Sequence, residues 1–262
     1  MTTATGSYTE QTVEVAGRKL RVLEGGKGAP LVVLHHSTGN PGWVPFHERL
    51  AERFRTFAPD LPGYGQSERP EWARDARDIA ILINRLLQKL ALGPATLVGL
   101  GFGGFIAAEL ATMNQAALKA LVLVGAAGLQ PDEGEILDQM LIDYHEYVEA
   151  GYRDGEAYHR ALGDEPATAF KELWDFSREM TARLAWKPYM FNRRLAPLLG
   201  EVETPALVIW GEKDEVVPVS CARQYAAALP NAKTEIVPGA GHSVEMEEPE
   251  RIAQLIAAFA GS

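Results

Sequence analysis

The sequence predicts an α/β protein with a mostly parallel central sheet, flanked by helices and interrupted by a helical insert. Three observations predict it. A hairpin signal near the amino terminus is followed by short apolar runs that alternate with segments of helical period. One apolar run passes through a glycine cluster straight into an apolar helix, over Ala95 to Leu110. Between Leu129 and about Leu199 the alternation stops and only helical spacing remains.

Thr12–Val15 and Lys19–Leu23 alternate around a turn at Ala16-Gly17-Arg18, which places Val13, Val15, Leu20 and Val22 on one face of a hairpin. Leu31–Leu34 is continuously apolar, as expected of a strand buried on both faces. The spacing then predicts a helix over Val44–Arg53 and a strand over Phe54–Pro59. A helix over Asp75–Leu90 carries Ile79, Leu82, Ile83, Leu86 and Leu90 at helical spacing and is stopped by Gly93-Pro94. Lys119–Val124 is the next buried strand. Helices are expected over Ile136–Ala150 and Pro166–Leu184. A strand over Ala206–Trp210, a helix over Ser220–Leu229, a strand over Lys233–Val237 and a helix over Glu248–Phe259 complete the chain. Residues 1–128 and 200–262 are thus expected to form the core, and 129–199 a helical cap.

The chain has 262 residues, of which 47% are hydrophobic, so a large core is available. No apolar run approaches the roughly 18 residues of a membrane span, and Met1–Gln11 is too polar for a signal peptide. A lone cysteine, Cys221, excludes an internal disulfide and suits the cytoplasm. The formal charge of −10 disfavours nucleic acid and anionic membranes as partners. The expected partner is a small molecule, and the expected assembly a monomer or homodimer.

In open parallel sheets ligands sit beyond the carboxyl ends of the strands, and four chemistry-bearing stretches follow strands here. They are His35-His36-Ser37-Thr38-Gly39, Asp60-Leu61-Pro62-Gly63-Tyr64-Gly65-Gln66-Ser67, Gly99-Leu100-Gly101-Phe102-Gly103, and the pair Trp210–Asp214 with Gly239-Ala240-Gly241-His242. Gly99-x-Gly101-x-x-Gly104 also matches a dinucleotide fingerprint. The next strand, however, ends at Val124-Gly125 without the carboxylate that motif needs, so no cofactor is expected. His145 and His159, with Asp143, Glu146 and Asp154, match no metal-ligand spacing, and no metal is expected.

Taken in this order, the four stretches resemble the α/β-hydrolase family over nearly the whole chain. The first looks like its HGxxG oxyanion loop, the second like its D-x-x-G-x-G-x-S turn, the third like its G-x-S-x-G nucleophile elbow, and the fourth like its acid and histidine loops. The resemblance implies that Asp214 and His242 are the acid and base of a triad, and that the N–H groups of Ser37 and Phe102 form an oxyanion hole. It breaks at Gly101, which stands where the family has its serine. Losing that serine elsewhere costs about 10⁶ in turnover. His36 stands where the loop usually has glycine, and either points into the space left by the missing serine or is a solvated loop residue. Ser37 is a substitute nucleophile or a backbone donor only. Tyr144, Tyr147, Trp174 and Trp186 either line an apolar substrate pocket or pack the cap onto the core.

Three functional readings stay open. The chain is an enzyme acting on a small, largely apolar carbonyl compound through His242 and Asp214 without an elbow nucleophile. Or it is a ligand-binding or regulatory protein on a hydrolase scaffold. Or it is a serine hydrolase whose nucleophile has been replaced by glycine.

Overall fold

In the computed structural model, which describes residues 3–5 and 7–261, nine strands form one sheet in the order β1-β2-β3-β5-β4-β6-β7-β8-β9. β1 (Thr3–Thr5), β2 (Tyr8–Val15) and β3 (Arg18–Gly25) run antiparallel, and β3 pairs antiparallel with β5 (Arg55–Pro59). From β5 onward every pairing is parallel, through β4 (Pro30–Leu34), β6 (Ala95–Leu100), β7 (Leu118–Val124), β8 (Ala206–Gly211) and β9 (Ala232–Val237). β6 and β8 are buried along their whole length, as continuous apolar runs require. β9 is the edge, and its four central residues are exposed.

The β2–β3 hairpin turns in two residues, Ala16 and Gly17, both at positive φ, and pairs Val13 with Leu20. Val15, Leu20 and Val22 are buried together as the hairpin alternation predicts. α1 (Pro45–Ala51) and α10 (Pro249–Ala260) cover one face of the sheet, and α2 (Ala76–Lys89), α3 (Phe102–Met113) and α8 (Ser220–Ala228) the other. α2 starts where Asp75 accepts from the N–H groups of Arg77 and Asp78. α3 is buried from Phe102 to Ala111, so it is the central helix and its sequence is apolar all round.

Glu109, fully buried on α3, holds this helix to its surroundings. It accepts from Arg77 on α2 at 2.7 Å and from the Asn192 amide at 2.7 Å. Four helices lie between β7 and β8: α4 (Tyr144–Glu149), α5 (Gly155–Leu162), α6 (Thr168–Ala185) and α7 (Leu195–Leu199). Val148, Tyr152, Ala157, Tyr158 and Trp174 form a small core of their own there. α9 (Val244–Glu247) follows β9.

The structure corrects the helix expected over Ile136–Ala150, which begins only at Tyr144. The preceding stretch spends its backbone groups elsewhere. The Leu137 N–H donates to the Val216 carbonyl, the Gln139 N–H to the Tyr189 hydroxyl, and that hydroxyl to the Leu137 carbonyl. Leu141 is 81% exposed while Ile136, Leu137 and Ile142 pack partly buried against the core, so these apolar residues meet the core without forming one helical face. Asp143 then caps α4.

Removing the Glu109 carboxylate leaves the Asn192 amide and the Arg77 guanidinium without their acceptor. Glu109→Ala is expected to cost about 2 kcal/mol, read as a lowered midpoint in urea unfolding with an unchanged slope.

Candidate functional site

The strand ends of β4, β5, β6, β8 and β9 bring the four sequence stretches together. After β4, His35 is fully committed to structure. Its Nε2 accepts from the Leu61 N–H at 2.9 Å, so its Nδ1 carries the proton and donates to the His36 carbonyl at 2.7 Å. Burial pushes its pKa down to about 3, so it is neutral and ties the Asp60 turn to the loop. Ser37 is gripped from the segment between β7 and β8. Its hydroxyl lies 3.2 Å from the Tyr147 hydroxyl, and its carbonyl accepts from Thr181 Oγ1 at 3.2 Å. The backbone N–H groups of Ser37 and Phe102 have no protein acceptor among the described residues.

Gly101 closes the turn from β6 into α3 with φ 49° and ψ −110°, a backbone that L side chains rarely adopt. Its N–H donates to the Val124 carbonyl at 2.9 Å. A Cβ placed on it would lie 2.5 Å from His36 Nδ1 and 3.0 Å from His242 Nε2. The His36 ring therefore fills the space that a side chain at position 101 needs. His36 is no solvated loop residue; its Nδ1 is buried and has no protein partner among the described residues.

His242 Nδ1 donates to Asp214 Oδ2 at 2.8 Å, and Asp214 Oδ1 accepts from the N–H groups of Val216 and Val217. The carboxylate is thus fixed by its own loop and sets the imidazole tautomer, leaving Nε2 toward Gly101 and the pocket. Burial disfavours the charged imidazole, but Asp214 and, more weakly, Glu245 outweigh it and hold the pKa of His242 above its ordinary 6.5.

A second imidazole–carboxylate pair stands beside the first. His36 Nε2 is 3.2 Å from Glu245 Oε1 on α9, and the His36 and His242 ring centroids are 4.8 Å apart. Burial pushes the Glu245 carboxyl up, yet the neighbouring His36 and His242 draw it below the usual carboxylate range. Sequence reasoning missed Glu245. The one signal is its place three residues after His242, inside an acidic run that reads as solvated surface.

One pocket opens over these residues, lined by His36, Ser37, Leu100, His242 and Glu245 on the strand-end side and by Trp174 and Tyr147 on the other. Phe170, parallel to Trp174 with centroids 6.2 Å apart, also lines it and was not singled out by sequence. Two expected lining residues are corrected. Tyr144 packs beside Trp174, centroids 6.5 Å apart, but does not line the pocket, because α4 turns Tyr147 inward instead. Trp186 is 63% exposed just past the last turn of α6. His145 stacks edge-on against Trp174, and among the described residues no group of three or more His, Cys, Asp or Glu side chains is placed to hold a metal ion.

The profile of the alpha/beta hydrolase family matches residues 31–255. The chain belongs to that family. Among its curated relatives, the dihydrolipoyllysine-residue acetyltransferase component of the acetoin cleaving system from Pseudomonas putida is 32% identical, over 95% of this chain and 68% of that one. The 2-hydroxy-6-oxo-6-(2'-aminophenyl)hexa-2,4-dienoic acid hydrolase of Metapseudomonas resinovorans is 28% identical, over 97% and 91%. A solved meta-cleavage product hydrolase from Pseudomonas fluorescens IP01 superimposes with a TM-score of 0.82 at 20% identity, covering 96% of this alpha/beta hydrolase and 97% of that chain, a likeness of fold.

The contact between position 101 and His36 makes a reciprocal prediction. Gly101→Ser alone is expected to lower stability by about 1–3 kcal/mol, from strained backbone and the His36 clash, without gaining esterase activity. Gly101→Ser with His36→Gly is expected to recover the melting temperature in part and to become labelled by a fluorophosphonate probe.

Proposed function

We propose that this alpha/beta hydrolase cleaves a small, largely apolar ester, lactone or related carbonyl compound without a covalent intermediate at residue 101. His242, oriented by Asp214, takes a proton from water as the water attacks the carbonyl carbon. The N–H groups of Ser37 and Phe102 receive the developing oxyanion. His242 then returns the proton to the leaving oxygen. Residues 129–199 serve as a cap whose aromatic side chains hold the apolar part of the substrate.

The observation that carries this reading is the His36 ring in the side-chain space of residue 101, beside a base whose Nε2 faces the pocket. It also weighs against a serine hydrolase that has merely lost its nucleophile, since the vacated volume is already filled. The reaction uses no cofactor, and the assembly is a monomer or homodimer. The lone, buried Cys221 fits a cytoplasmic location. No helix among the described residues is long and apolar enough to cross a membrane.

A panel of small activated esters and lactones, run with the protein and His242→Ala, tests this. Turnover is expected to fall by about 10³-fold in the variant while ligand-induced shifts in melting temperature persist. No turnover in either protein, with such shifts present, would favour the binding reading instead.

The pH dependence follows from the direction of the His242 shift. The base works only when neutral, so kcat/KM rises with pH through a midpoint above 6.5. Asp214→Asn removes the charge that holds the proton on and is expected to move that midpoint to lower pH as it lowers the plateau.

A further inference from the structure

We infer that the pocket accepts uncharged or cationic acyl compounds and rejects carboxylates, with Glu245 as the residue that enforces the choice. This deepens the hydrolytic reading and rests on it for the nature of the reacting group.

The argument starts from the wall. No lysine or arginine lines the pocket among the described residues. Its polar lining consists of imidazoles, hydroxyls, the Asn40 amide and a single carboxylate, Glu245. Arg153, next in the chain to pocket-lining Tyr152, is turned to Glu247 and Glu248. The two other lining histidines bring no positive charge. His35 has both ring nitrogens bonded, and His47 Nδ1 accepts from the Val44 N–H at 3.3 Å. Burial pushes them to about 3 and about 4, which leaves both neutral.

Glu245 is 3% exposed, and its Oε2 has no protein donor among the described residues. Among the described residues its side-chain partner is His36, through Oε1. A second carboxylate, Asp214, stands directly behind His242. A ligand carboxylate entering here meets two carboxylates with no lysine or arginine to answer them, while His242 and the N–H groups of Ser37 and Phe102 are taken up by the reacting carbonyl in the hydrolytic reading. Neutral acyl groups meet instead an apolar wall of Val148, Leu162, Phe170, Leu173, Trp174 and Met246.

Like charges about 6 Å apart at an effective dielectric constant of about 20 repel enough to change affinity by roughly 100-fold. A matched set of ketones, inert to hydrolysis, reads this directly. The set is 4-phenyl-2-butanone and its para-carboxylate and para-aminomethyl derivatives, titrated calorimetrically into the full-length protein. The neutral ketone is expected to bind at least about 100-fold tighter than the carboxylate, with the ammonium derivative also ahead of the carboxylate. Glu245→Gln is expected to shrink the neutral-to-carboxylate ratio below about 10-fold. Should that variant not fold, the ordering of the two charged ligands in the unaltered protein still decides. Equal exclusion of both would leave desolvation as the cause and overturn the role of Glu245. Carboxylate binding as tight as the neutral ketone, or no binding by any of the three, overturns the proposal. Discrimination among ketones with no turnover of any ester supports it while removing the hydrolytic reading.

Discussion

Only one group can occupy the space beyond the Cα of residue 101, and in this protein it is the imidazole of His36. A Cβ at that position would sit 2.5 Å from His36 Nδ1, closer than real Cβ atoms approach other atoms. Gly101 and His36 are therefore two halves of one arrangement. Glycine accepts the positive φ of the elbow without strain and yields its side-chain volume, and the loop after β4 supplies the ring that fills it. Glu245 completes the arrangement by holding the far nitrogen of that ring. The result is two imidazole–carboxylate pairs side by side, with ring centroids 4.8 Å apart.

The two pairs are built differently, and the difference bears on their roles. Asp214 is anchored by two backbone N–H groups from its own loop, so its grip on His242 survives motion elsewhere. Glu245 carries an oxygen with no protein donor among the described residues. Leaving a buried acceptor unmet costs about 1–3 kcal/mol, so this carboxylate is held at the pocket against its own solvation. Its charge also helps to keep the proton on His242.

Much of the fold was legible because its strands and helices carry different periods. The apolar run Leu31–Leu34, the alternating hairpin and the capped α2 helix, with Asp75 at its start, each state their structure locally. The site was legible where residues follow strands, which located His35–Ser37, Gly101, Asp214 and His242. What escaped depends on contacts between distant segments. His36 and Glu245 are 209 positions apart, so their pairing leaves no local mark. Tyr147 faces the pocket and Tyr144 does not, because docking on the core sets the rotation of α4. The stretch before α4 has helical spacing but gives its backbone hydrogen bonds to Val216 and Tyr189.

Ser37 has a further consequence through its partners. Its hydroxyl and its carbonyl are both met by residues of the segment between β7 and β8, Tyr147 and Thr181. Thr181 in turn bonds the hydroxyl of Tyr64 in the Asp60 turn, at 2.8 Å. The loop after β4 thus takes its shape from residues more than a hundred positions later in the chain. The shape of that loop is therefore set jointly by the sheet it leaves and by the inserted helices packed over it.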